Sequence, residues 1–226
     1  MESQQRVAGR RGLSEWAALG GVAYVALFVS GNLLMFAGTA SGGDSPAEFI
    51  ASFGDSGHRD RIGLGWAVAG IGLFFFLWFV ASLRQTVSRF DREGLLTTLT
   101  ALGGGIYAAL ALAAIALDSA VRTMSDDTYQ HKVYPELIHA ADDAGYVIHA
   151  TGGVGMSVMI LAASIAFIRS GVVPKWAGWL GVVVGVAALA SIVFIPMIAW
   201  LLWILIVALV LFSKGAGNGA RPTEAT

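Results

Sequence analysis

YPELIHAADDAGYVIHATGGVGMSVMILAASIAFIRS, Tyr134 to Ser170, is the longest continuous helical signal in the chain and holds several of its ionisable side chains. Pro135 suits a first helical position, Glu136 favours the positive end of the helix dipole, and no proline recurs until Pro174. One helix of about 34 residues is predicted. At 1.5 Å per residue it runs roughly 50 Å, whereas a bilayer core needs about 30 Å. The polar first third must therefore stand outside lipid, with Ile148 to Ile168 spanning it. Stepping ~100° per residue gathers His139, Asp142, Tyr146, His149, Gly153 and Ser157 into an arc of roughly 80°. Such a stripe has to face protein or water.

Composition agrees with a membrane setting. Of 226 residues 56% are hydrophobic and 13% charged, and the mean hydropathy is +0.71. A globule with that surface would not stay dispersed in water. The formal net charge of −1 gives nucleic acid no electrostatic footprint. Cysteine is absent, which excludes disulfides, thiolate nucleophiles, Cys-ligated zinc and iron–sulfur clusters. The abundance of Arg, Ala, Gly and Val suits a high-GC bacterial gene.

Working outward from the long helix, the fold class is all-α: a polytopic membrane protein of six transmembrane helices. The expected spans are 16–39, 62–83, 95–117, 148–168, 176–195 and 197–213, flanked by tails 1–15 and 214–226. The first run exceeds a usual signal-peptide core, so it is read as a retained span. Ser45-Pro46-Ala47-Glu48 has capping-box spacing and predicts a short interfacial helix through Phe53. A polar loop is expected from Asp118 to Val133. The apolar run from Trp176 to Phe212 is too long for one crossing and must fold back near Pro196.

Six spans put both termini on one side. Ten basic residues fall on that side and four, Arg59, Arg61, Arg122 and Lys132, on the other. By the positive-inside rule both termini are cytoplasmic, and the address is the bacterial cytoplasmic membrane. Helix contacts are expected at glycines: Gly181 with Gly185, Gly145 and Gly153 around His149, and Gly103-Gly104-Gly105. The partners this implies are membrane lipid and, through glycine-rich faces, a second copy or another membrane protein. Phe74, Phe75, Phe76, Trp78 and Phe79 are expected to face lipid, with Trp16, Trp176 and Trp179 at the inner boundary and Trp200 near the outer one.

Polar side chains converge on the outer side. Asp118 shares a face with Ala111, Tyr107 and Gly104; His139, Asp142 and His149 descend the fourth span. Imidazole and carboxylate at one-turn spacings suit a divalent metal, making Asp118, His139, Asp142 and His149 candidate metal ligands. Asn32, His58 and Tyr146 are candidate ligand-binding residues nearby. The plainer reading makes His139 and Asp142 part of a solvated helix extension, His149 a hydrogen-bonding partner of another span, and Asp118 an ion pair with Arg122. No nucleotide-binding or hydrolase motif occurs, and one histidine at membrane depth leaves haem without its second ligand, so neither haem nor nucleotide is expected.

The arginine-rich start, the histidines at 139 and 149, and Ile168-Arg169-Ser170-Gly171-Val172-Val173-Pro174-Lys175 before a glycine-rich apolar helix together resemble a group of actinobacterial-type six-helix membrane proteins classed as a domain of unknown function. The resemblance implies six helices and a cytoplasmic-membrane address, and carries no activity. The function expected is a non-enzymatic integral membrane protein with an outward-facing pocket for a ligand or ion. A membrane-embedded metal-dependent hydrolase and a small proton-coupled carrier are the alternatives.

Overall fold

The computed structural model describes residues 13–37, 48, 53–124, 135–193 and 195–218. Every regular element among them is helical: α1 (Leu13–Ala18), α2 (Gly20–Phe36), α3 (Ser56–Ser88), α4 (Leu95–Met124), α5 (Pro135–Ser170), α6 (Lys175–Ala187) and α7 (Ile195–Asn218), with a 3-10 turn at Ala188–Ala190. Among the described residues five stretches are long and apolar enough to cross a membrane: Trp16–Met35, Ser56–Ser88, Leu95–Ala120, Ala140–Ser170 and Ile195–Lys214. Apart from Glu48, which is helical, the capping box at 45–48 lies outside the described residues.

Local chemistry sets the helix ends. Asp55 caps α3, its Oδ1 accepting from the N–H groups of Gly57 (2.7 Å) and His58 (3.3 Å), so α3 begins before Ile62. Gly94 (φ 75°) turns the chain into α4, and Gly171 (φ 68°) ends α5, both in a region where a Cβ is strained. Asp91 Oδ2 accepts the Thr97 N–H at 2.7 Å, which holds the Asp91 carboxyl below its usual range. The polar loop expected from Asp118 begins later than hydropathy indicates. No glycine or proline interrupts 118–124, so α4 continues to Met124 and Asp118 is helical. After α6 the chain turns at Ala188–Val193 rather than at Pro196, which sits in the first turn of α7 where its missing N–H is harmless.

Glycine contacts run antiparallel between α2 and α3, between α4 and α5, and between α5 and α6. A Cβ on Gly31 would lie 2.6 Å from the Gly65 carbonyl oxygen, and one on Gly103 would lie 2.5 Å from that of Gly155. At these crossings of α2 with α3, and of α4 with α5, backbone meets backbone, as packing in lipid favours. Gly178 and Gly185 face Ile168 and Leu161 on α5, while Gly181 abuts Ser164 and Trp203. Trp16 lies 6.0 Å from Phe212, bringing the start of α1 to the end of α7.

One core runs through the bundle around Tyr24, Phe76, Phe79, Tyr107, Met156, Met159, Trp200 and Trp203. This corrects two expectations. Phe74 and Trp78 are exposed, but Phe76 and Phe79 are wholly buried, because three- and four-residue steps carry half of an aromatic run inward. Trp200 is also wholly buried, its ring edge-on to Tyr107, and is no part of an outer belt; Trp16, Trp176 and Trp179 are exposed at the opposite end.

Candidate functional site

At the end of the bundle opposite Trp16, helices α2 to α5 converge on a second apolar cluster of Phe53, Ile62 and Trp66, against which Met35, Ile115 and Ala141 pack. One turn outward from Ile62, Arg59 turns the same way and is only 7% exposed. Its Nη1 donates to the carbonyl oxygens of Phe53 (2.7 Å) and Gly54 (3.0 Å), tying the segment before α3 onto the bundle. The sequence marks this arginine only as one of four basic residues on the outer side. The 59, 62, 66 spacing, which repeats an inward face, is the signal that could have found it.

His58 points elsewhere. Its Nδ1 lies 2.6 Å from Arg61 Nη2 and its ring stands edge-on to Phe53, so it belongs to the outer rim and not to the interior.

Asp118 is half-buried and lies directly over Gly145 of α5, where a Cβ would strike its carboxylate. Asp142, one turn outward from Gly145 on α5 and exposed, lies close enough to act on it. Helical periodicity put Asp118 on one face with Ala111 and Tyr107, and both are buried. The side chains of His139 and Arg122 lie outside the described residues.

About 6 Å deeper along α5, one turn past Gly145, His149 sits between Phe28 of α2, stacked at 5.8 Å and 19°, and Tyr107 of α4, edge-on at 5.8 Å. It contacts two neighbouring helices, but through ring packing: its Nε2 is buried with no hydrogen-bond partner among the described residues. Beside it the Tyr24 and Tyr107 hydroxyls are hydrogen-bonded to each other at 2.6 Å. Trp200, whose Nε1 is likewise buried without a partner, closes the far side of Tyr107. Tyr24 and Trp200 were missed because an apolar run does not tell a core aromatic from a lipid-facing one.

Two further candidates are held by the bundle itself. Asn32 Nδ2 donates to the Phe28 carbonyl at 2.7 Å, one turn back on its own helix. The Tyr146 hydroxyl donates to the Ile192 carbonyl at 2.5 Å, joining α5 to the turn after α6. Of the four candidate metal ligands the structure brings Asp118 and Asp142 together and sets His149 a turn deeper among aromatic rings. Among the described residues no three His, Asp or Glu side chains come together to hold a metal ion.

Five helices long and apolar enough to cross a membrane, with charged residues gathered at their ends, are the build of an integral membrane protein. Comparison with family models, with curated proteins and with solved structures finds no match for the chain.

Proposed function

We propose that the protein is a non-enzymatic integral membrane protein of the bacterial cytoplasmic membrane, and that the mouth between α4 and α5 binds a hard divalent cation from the outer medium. The reading includes six crossings, as the resemblance implies, and cytoplasmic termini, as the positive-inside rule gives. Its support is the placing of Arg84, Arg89, Arg92, Arg169, Lys175 and Lys214 at one end of the bundle, with Asp55, Asp60, Asp118, Glu136, Asp142 and Asp143 at the other. Lipid is then the partner of the exposed apolar faces. Self-association through glycine would fall at positions such as Gly70 and Gly105, over which a side chain meets open space.

The observation that carries the binding role is Asp118. A half-buried carboxylate set directly against a glycine, with the Asp142 carboxylate close enough to act on it, puts two oxygen donors at one mouth of the bundle. Two carboxylates completed by water suit Mg²⁺, Ca²⁺ or Mn²⁺. Unfolding of the detergent-purified protein, followed by tryptophan fluorescence with and without each chloride salt, tests this. A cation at about 100 times its dissociation constant adds about 2.7 kcal/mol to the wild type. Asp118→Asn should lose most of that gain. No gain in the wild type, or an equal gain in the variant, refutes the binding role.

A further inference from the structure

The hairpin of α6 and α7 is built differently from the helices beside it. Between Lys175 and Lys214 no charged residue occurs. With its 3-10 extension α6 covers only Lys175–Ala190, roughly 24 Å, whereas α3, α4 and α5, with 33, 30 and 36 residues, run roughly 50, 45 and 54 Å from the same basic end. The hairpin tip therefore stops about where a ~30 Å hydrocarbon core would end, while its three neighbours rise well above it.

The tip is dressed for a dry surrounding. Leu189, Ile192 and Ile195 are 61%, 58% and 73% exposed. Three of its backbone carbonyls are served from within the protein. The Tyr146 hydroxyl donates to the Ile192 carbonyl, Ser191 Oγ to the Ala188 carbonyl, and the Val193 N–H to the Ala190 carbonyl. Gly153 makes room for Ser191 to close against α5. A turn in water needs no such provision, since solvent supplies the donors. In hydrocarbon each bare carbonyl costs several kcal/mol.

We propose that the turn at 188–193, where the fifth and sixth crossings meet, lies among the acyl chains at the outer edge of the hydrocarbon core and not in water, with lipid tails as its partner and Tyr146 as the residue that positions it. The proposal rests on the membrane reading above and is independent of the cation site. Because the chain has no cysteine, single cysteines report cleanly. Nitroxide labels on Ile192→Cys and Ile195→Cys, in phosphatidylcholine–phosphatidylglycerol vesicles, are compared for relaxation by oxygen and by a water-soluble nickel chelate. Val183→Cys, on an exposed site halfway along α6, and Asp143→Cys, on the polar extension of α5, bracket the scale.

The tip labels should behave like the one at 183, with oxygen dominating nickel several-fold, and the label at 143 should show the reverse. In the Tyr146→Phe background the label at 192 should gain nickel accessibility several-fold, as water enters to replace the lost donor, while the label at 183 stays unchanged. Tip labels that match 143 while 183 stays oxygen-dominated overturn the immersion and leave the membrane reading standing. A nickel-dominated label at 183 overturns both.

Discussion

Gly103 and Gly105 sit two residues apart in one helix, and replacing each with alanine should have opposite effects. At Gly103 the new Cβ would meet the Gly155 carbonyl oxygen at 2.5 Å and the Met159 nitrogen at 2.6 Å. Both are backbone atoms of α5, so no side-chain rotation relieves the clash. Ordinary contact begins near 3.4 Å, so α4 and α5 must part locally by about 0.9 Å. That movement would loosen the neighbouring contact of Gly155 with Tyr107, and with it the seat of His149. Overpacking of this kind costs about 1–3 kcal/mol, against a helix-propensity gain of at most about 1 kcal/mol. At Gly105 a Cβ meets nothing within 4 Å, so only the propensity gain remains. Unfolding of the purified protein in a graded denaturing detergent should place Gly103→Ala below the wild type and Gly105→Ala at or above it. Equal effects, or a stabilised Gly103→Ala, would refute the backbone crossing.

Four further outcomes follow from the same geometry. Phe76→Ala should cost about 3–5 kcal/mol because the ring is wholly buried, whereas Phe74→Ala, exposed one turn-face away, should lie within about 0.5 kcal/mol of the wild type in the same titration. Tyr24→Phe and Tyr107→Phe each leave a buried hydroxyl without its partner, at about 1–3 kcal/mol, and a double-mutant cycle should return a coupling of about 0.5–1.5 kcal/mol; additive losses would dissolve the pair. Arg59→Met removes both links to the Phe53 and Gly54 carbonyls, so limited proteolysis should cut before α3 faster than in the wild type. Asp91 titrates below the usual carboxylate range because it accepts the Thr97 N–H. Its contribution is complete above the unfolded value of about 3.9 and is lost as pH falls through the lower folded value, so the stability gap between wild type and Asp91→Ala should close on acidification.

Much of the architecture could be read before any coordinates, because hydropathy and helical period report directly on which segments shun water. The long helix from Pro135 and the shared face of Tyr107, Ala111 and Asp118 are of this kind. What escaped reading has a common cause: lipid is as apolar as a protein core, so an aromatic run gives no sign of which ring points inward. Phe76, Phe79 and Trp200 were misplaced for that reason. Arg59 escaped because a charge at a helix start ordinarily belongs to solvent, and its burial depends on carbonyls six and five residues away. The end of α4 was set too early because hydropathy falls at Asp118, whereas a helix stops where backbone chemistry stops it. His149 lies against other helices, but ring stacking leaves no mark in sequence spacing.

The two glycine crossings bear on how the chain is made. Each joins helices that follow one another along the polypeptide, α2 with α3 and α4 with α5, and the α6–α7 pair is likewise consecutive. Every hairpin can thus close on itself while later sequence is still being synthesised, and only the docking of finished hairpins, through rings such as Tyr24, Tyr107 and Trp200, must wait for the whole polypeptide.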